Sequence, residues 1–216
     1  REDYELALNR GFKSHEIVYI PGVGVDLGRF TPVDSRAISK IRAEYGYCDD
    51  DFLLLYAAEL NRNKHQDLLI RSVAEIAREV PTVRLLLAGE GPLMQDYKSL
   101  AAELGVSKHV DFVGYRNDIH RIVPMCDVIV ASSYREGLPV NVMEAMACGK
   151  PIIATRNRGH VELVRQGENG FLVEPDDYLS LAEYALSLFK DPDLRVRMGK
   201  KSYELVEPFS LSNVYS

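Results

Sequence analysis

Glu136 and Glu144 stand eight residues apart in the segment EGLPVNVMEAMACGKPIIAT, and each carboxylate can accept two or more hydroxyl donors. Gly137 and Pro139 between them mark a loop turning into a helix. Pro139 suits the first helical turn, where its missing amide proton leaves no bond unmade. Glu136 then hangs in the loop, and Glu144 projects from the second turn of the helix. Two acceptors facing one cleft are what a polyhydroxylated ligand needs. The plainer alternative is a solvated acid before the helix and a surface glutamate on it. For Glu144 that alternative is strained, because Met143, Ala145, Met146, Ala147 and Cys148 surround it. A helix this apolar is mostly buried, and a buried carboxylate needs a partner.

The elements that must position this segment alternate along the chain. Short apolar or β-branched runs occur at Ile17–Ile20, Phe52–Ala57, Val83–Ala88, Val110–Val113, Val128–Ala131, Pro151–Ala154 and Gly170–Val173. Helical patterns lie between most of them, at Ser35–Tyr45, Gln66–Glu79, Leu93–Leu104, Ile119–Met125, Val140–Cys148, Val161–Val164 and Leu179–Phe189. Near-continuous apolar strands separated by amphipathic helices imply a parallel sheet covered on both faces. The predicted fold class is therefore α/β, a Rossmann-like doubly wound parallel sheet whose ligands bind beyond the carboxyl ends of the strands.

Composition narrows the function. At 216 residues, 46% hydrophobic and 27% charged, the chain can bury a full core. No apolar run approaches the roughly 18 residues of a membrane helix. The formal net charge of −6 argues against nucleic acid as a partner. It also means that an anionic ligand requires positive potential from somewhere local. Cys48, Cys126 and Cys148 have no CxxC or Cys/His spacing and read as core thiols of a reducing compartment, so a cytoplasmic location is expected. His15, His65, His109 and His120 are scattered without ligand spacing, and no metal site is expected. The glycine-rich AGEGPL is too short for a dinucleotide fingerprint and far from a P-loop.

Positive charge is available in AELNRNKHQDLLI, a polar loop after the Phe52–Ala57 run. Such a loop lies at a strand's carboxyl end and puts Arg62 and Lys64 at the mouth of the cleft. Read blandly, they are an ordinary solvated cation pair. The helix beginning near Pro139 offers a second anchor, since free amides at a helix start attract anions. In FVGYRND, Gly114 permits a tight turn, and Asn117 or Asp118 can cap the following helix. Asp176 and Asp177 are placed to cap the Leu179–Phe189 helix. His160, in TRNRGHVELV, reads as a helix-entry or surface residue rather than a catalyst.

With EGLP at one end and EAMACGKPIIAT at the other, the carboxylate segment resembles the E-x7-E motif of retaining glycosyltransferases of family 4, the group 1 glycosyl transferases, in their C-terminal, nucleotide-sugar-binding domain. The resemblance runs from about Ile17 to about Leu205. It implies the C-terminal domain of a GT-B fold and transfer of a sugar, with retention, from a nucleoside-diphosphate sugar to an acceptor hydroxyl. ELNRNK and NRGH-x-ELV are similar to the family's bacterial capsule and exopolysaccharide branch.

By this resemblance Glu144 accepts from ribose hydroxyls, Glu136 contacts the sugar ring, and Lys64 contacts phosphate. Many relatives carry Gly-Arg where this chain has Ala58-Glu59, so Arg62 is the nearest substitute for the second cation. Lys64, Arg62 and Glu136 form the implied catalytic set. The family's anion-binding stretch falls on Gly137, Leu138, Pro139 and Val140; Pro139 has no amide proton, so Leu138, Val140 and Asn141 are the usable donors. Main-chain groups of Gly114, Tyr115 and Arg116 are expected at the nucleobase. No cofactor or metal is implied. Residues 1–16 are expected to be a linker helix left from an interdomain connection, 17–206 the nucleotide-sugar-binding domain, and 207–216 the start of a closing helix. The acceptor, a glycan or lipid-linked saccharide, belongs to an N-terminal domain, and the full-length enzyme is expected to work at the inner face of the membrane. Two alternatives share these features: a GT-B nucleotide-sugar epimerase, and a nucleotide-sugar-binding module without chemistry.

Overall fold

A computed structural model describes residues 2–10 and 23–214. The strand assigned to Ile17–Ile20 lies outside the described residues. Helices α1 (Glu2–Asn9) and α2 (Ser35–Glu44) precede β1 (Phe52–Ala57), α3 (Gln66–Glu79), β2 (Val83–Ala88), α4 (Met94–Glu103) and β3 (Val110–Gly114). Then come α5 (Ile119–Met125), β4 (Val128–Ala131), α6 (Val140–Ala147), β5 (Ile152–Thr155), α7 (Arg158–Leu163) and β6 (Gly170–Val173). The chain closes with α8 (Tyr178–Lys190), α9 (Pro192–Val206) and the short α10 (Leu211–Val214).

The six strands form one parallel sheet in the order β3-β2-β1-β4-β5-β6. This is the doubly wound arrangement, with the order reversing between β1 and β4. At that reversal the crossovers leave in opposite directions and open a crevice above the carboxyl ends of the strands. Leu53, Leu54, Leu55 and Tyr56 of β1 are all buried, as a central strand covered on both faces must be. Helix α3 packs against α8, α6 against α9, and α2 against α5.

Short polar side chains start several of the helices. Asp34, Asn157, Asp177 and Asp191 each accept from the backbone amide three residues on, at 2.8–3.0 Å, satisfying an otherwise orphan donor. Asp177 thus caps α8 as expected, while Asp176 instead accepts from the Tyr134 hydroxyl at 2.9 Å. Asp118 occupies the position before α5 but does not cap it. Its carboxylate is taken by Arg116 at 2.5 and 2.8 Å and by the Tyr45 hydroxyl at 2.6 Å. Pro139 stands one position earlier than expected: its backbone is extended, with φ −74° and ψ 111°, and the helix begins at Val140. Cys126 and Cys148 are core thiols, but Cys48 is exposed.

Helix α9 has no counterpart among the patterns read from the sequence. Gly199 lies at its middle, where a helix normally loses stability. A β-carbon there would sit 2.1 Å from the Gly149 carbonyl oxygen, so the glycine lets α9 press onto the turn after α6. At the end of the chain, Val25 pairs with the 209–211 segment through Val25 N to Phe209 O (2.9 Å) and Leu211 N to Val25 O (3.0 Å).

Candidate functional site

Three strand-to-helix loops and the start of α6 surround a cleft of about 400 Å³ at the carboxyl end of the sheet. Ala57–Glu59 come from the end of β1, Ala88–Glu90 from the end of β2, and Tyr115 and Arg116 from the end of β3. Asn141 and Glu144 of α6 close the fourth side. The loops are tied to one another by main-chain bonds: Ala58 N to Ala88 O (2.9 Å), Leu60 N to Glu90 O (2.9 Å) and Gly89 N to Gly114 O (2.8 Å). Gly89 is required for this close approach, because a β-carbon would stand 2.0 Å from the Ala58 carbonyl oxygen.

Glu144 opens into the cleft from a helix whose Val142, Met143, Ala145, Met146 and Ala147 are buried. Among the described residues no donor reaches its carboxylate. Burial pushes its pKa up to about 7, against a smaller opposing effect of the Arg29 charge. Asn141 is held in place by its own helix start: its Nδ2 donates to the Ala57 carbonyl at 3.0 Å, and its Oδ1 accepts from the Val142 amide at 2.9 Å. That fixes the first turn of α6 against β1. Glu59, at the position where an arginine is common in the family, lines the cleft beside Glu90 and accepts from Asn61 Nδ2 at 2.9 Å.

Glu136 lies beyond the β1–β4 reversal and is paired. Lys64 Nζ donates to its Oε1 at 2.6 Å, with both side chains largely buried. The same oxygen accepts from Ser133 Oγ at 2.5 Å. Behind the serine, Tyr56 Oη lies 2.6 Å from Ser133 Oγ. The loop carrying Lys64 is pinned to the loop carrying Glu136 by Ser132 Oγ to Lys64 O (2.6 Å), Tyr134 N to Asn63 O (2.9 Å) and Asn63 Nδ2 to Arg135 O (3.0 Å).

Not all of the remaining residues singled out in the sequence fall in these two regions. Tyr115 is exposed at the cleft mouth, and Arg116 lines the cleft with its guanidinium engaged by Asp118. Gly114 ends β3 in the left-handed region, φ 69°. Gly137, Leu138 and Pro139 form the link from Glu136 to α6. Arg62 faces a separate hollow, lined also by His65, Asp67, Asp96, Tyr97 and Tyr134. His160 is buried, its Nδ1 2.7 Å from the Thr155 carbonyl oxygen, and burial holds its pKa below the ordinary histidine value. Among the described residues no group of three or more His, Cys, Asp or Glu is placed to hold a metal ion. Nor is any helix long and apolar enough to cross a membrane.

Three residues of this site drew no attention in the sequence: Ser133, Tyr56 and Glu90. Ser133 precedes Glu136 by one turn of chain, so its role was within reach of a local reading. Tyr56 had no such signal, since it sits inside an apolar strand.

The model of the group 1 glycosyl transferases matches residues 37–205. The chain belongs to this family. It is 44% identical over 209 residues to the putative glycosyltransferase EpsD of Bacillus subtilis, covering 97% of this chain and 55% of that protein. It is 30% identical over 182 residues to N-acetyl-alpha-D-glucosaminyl L-malate synthase of Bacillus anthracis, covering 84% of this chain and 48% of the other. The chain thus spans about half the length of the curated relatives it matches. Among solved structures, Anabaena Alr3699/HepE in complex with UDP superposes with a TM-score of 0.86 at 27% identity, over 97% of this chain and 58% of that one. The complex of the same protein with UDP-glucose gives 0.84. These neighbours are GT-B glycosyltransferases, and the group 1 chain described here shares the Rossmann-like domain with them.

Proposed function

We propose that this group 1 glycosyl transferase chain is the donor-binding half of an enzyme that moves a hexose from a nucleoside-diphosphate sugar to an acceptor hydroxyl with retention of configuration. Its place is in the assembly of capsular, extracellular or other bacterial glycans. The observation carrying this reading is the convergence at the β1–β4 reversal: Lys64 against Glu136 on one side, and the start of α6 with Glu144 on the other. The nucleoside enters the 400 Å³ cleft, with the base along Gly114–Arg116 and the ribose hydroxyls on Glu144. The diphosphate then lies toward the amides of Leu138, Val140 and Asn141 and the ammonium of Lys64, and the sugar lies against Glu136.

The chemical burden is the charge that develops on the β-phosphate as the sugar departs. Fixed donors aimed at that oxygen act in the transition state more than in the ground state. Lys64 and the helix start supply them without a metal. In the described state Lys64 is engaged by Glu136, so the donor phosphate exchanges one anionic partner of the lysine for another. The acceptor and its base are assigned to the other half of the enzyme, at work beside the inner face of the membrane.

Titration of this chain with UDP and GDP, alongside transfer assays of the full-length enzyme with a panel of nucleotide sugars and lipid-linked acceptors, tests the reading. Nucleotide binding by the chain, unaffected by chelator, together with transfer only by the full-length enzyme, is the expected result. Transfer by the chain alone at full-length rates would place the acceptor site within these residues. Binding without transfer by the full-length enzyme would mark a sensor.

A further inference from the structure

The hydrogen-bond chain behind Glu136 has a fixed direction. A carboxylate only accepts, so the Ser133 hydroxyl must give its one proton to Glu136 Oε1, at 2.5 Å. Ser133 Oγ can then only accept from Tyr56, so the tyrosine donates across the 2.6 Å contact. Tyr56 and Ser133 are both essentially inaccessible to solvent, and neither can exchange this bond for one to water without leaving the core. The serine main chain is fixed as well: its carbonyl oxygen accepts from Thr155 Oγ1 at 2.6 Å and from Asn157 Nδ2 at 2.8 Å. Lys64 is the other donor to Glu136 Oε1, but it sits at the end of a long flexible side chain. A donor phosphate competes for that ammonium.

We infer that Ser133, backed by Tyr56, is the positioning residue that keeps Glu136 aimed at the sugar once Lys64 has turned to the phosphate. The inference rests on the proposed role of Glu136. The serine occupies one carboxylate oxygen permanently and leaves the other for substrate. A rigid donor from β1 and the β4 loop thereby replaces a mobile one at the moment when orientation matters most.

The test uses the full-length enzyme and whichever pair it binds, UDP with UDP-glucose or GDP with GDP-mannose. Calorimetry gives the affinity gained when the sugar is present, and steady-state kinetics give kcat and KM. In Ser133→Ala the bare nucleotide should bind within about twofold of the parent, while the sugar-dependent gain disappears and kcat falls about 10–100-fold, the scale of a misaligned reacting group. Tyr56→Phe, which removes only the hydroxyl, should move both readouts the same way by less. Ser133→Thr, which retains the hydroxyl, should restore part of the loss. Adding Ser133→Ala to Glu136→Gln should cost little more than Glu136→Gln alone, because residues acting as one unit are not additive. Additive losses, or equal weakening of nucleotide and nucleotide sugar in Ser133→Ala, would overturn the inference. A sugar-dependent gain lost in Glu136→Gln but retained in both Ser133→Ala and Tyr56→Phe would overturn it while leaving the proposed function standing. If Glu136→Gln itself retains the gain, the role of Glu136 fails, and the inference with it.

Discussion

Gly159 packs directly on the main chain of Gly137: a β-carbon at Gly159 would stand 2.2 Å from the Gly137 carbonyl oxygen and 2.8 Å from Glu136 Cβ. The start of α7 therefore acts as a stop against which the Glu136–Gly137 turn rests. Gly159→Ala should force the turn outward, lowering stability by about 1–3 kcal/mol, the usual cost of overpacking. It should also weaken nucleotide-sugar binding. Thermal melts with parallel titrations check both, and an unchanged melting temperature would show that the turn yields freely.

Glu144 should make stability fall as the pH rises. Its folded pKa, about 7, is raised above the 4.5 of the free side chain by burial. Between those values the folded chain binds more protons than the unfolded one, so stability is greatest below about pH 4.5 on this account and declines toward pH 7. Glu144→Gln should remove that slope and stabilise the chain at pH 8 by on the order of 1–3 kcal/mol. The same change should weaken nucleoside diphosphate binding by about 1–3 kcal/mol. Urea titrations at pH 5, 6, 7 and 8, with calorimetry at pH 8, separate the two effects. Unchanged affinity for both UDP and GDP would remove Glu144 from the ribose.

Lys64→Ala should cost more affinity for UDP than for uridine, because only the diphosphate carries the anion that an ammonium recognises. Equal losses for the two ligands would mean that the lysine serves the loop rather than the phosphate. Arg62→Ala should cost less than Lys64→Ala, since Arg62 lines a separate hollow. A larger loss for Arg62→Ala would show that this arginine reaches the phosphates after all.

Arg42 should matter to stability alone. Its guanidinium donates to the carbonyl oxygens of Met125, Asp49 and Asp51 and to Asp127 Oδ2, at 2.8–3.0 Å, and the same carboxylate oxygen accepts from the Leu53 amide. Arg42→Met leaves three carbonyl oxygens without this donor and leaves the part-buried Asp127 carboxylate to the Leu53 amide and Arg195, at a cost of about 3 kcal/mol. Denaturant titration should show this loss, with nucleotide affinity unchanged at temperatures where the variant remains folded.

The sheet was legible in the sequence because its strands are buried on both faces and so read as unbroken apolar runs. Val83–Ala88 and Val128–Ala131 match their strands residue for residue. Helix α9 was not legible: Gly199 and Ser202 interrupt the apolar pattern of its buried face, and the helix packs onto the Gly149 turn. In the site, the local pattern gave Glu136, Glu144 and the α6 start, since all lie on one strand–loop–helix unit. The ion pair between Lys64 and Glu136 joins residues 72 apart. Only the placement of β4 beside β1 brings them together, and no spacing rule encodes it. The Asp118 carboxylate misled for a related reason. Capping chemistry is local, whereas Arg116 and Tyr45 offered that carboxylate stronger partners from within and beyond the loop.

The open carboxyl of Glu144 has a thermodynamic signature of its own. Near neutral pH the free cleft holds a carboxyl whose burial favours its protonated form, with the pKa pushed up to about 7. Hydroxyl donors arriving from a ribose favour the ionised form, so in the proposed role nucleotide binding expels a fraction of a proton into solution. The measured binding enthalpy then depends on the ionisation heat of the buffer, and affinity rises as the solution becomes more alkaline through this range.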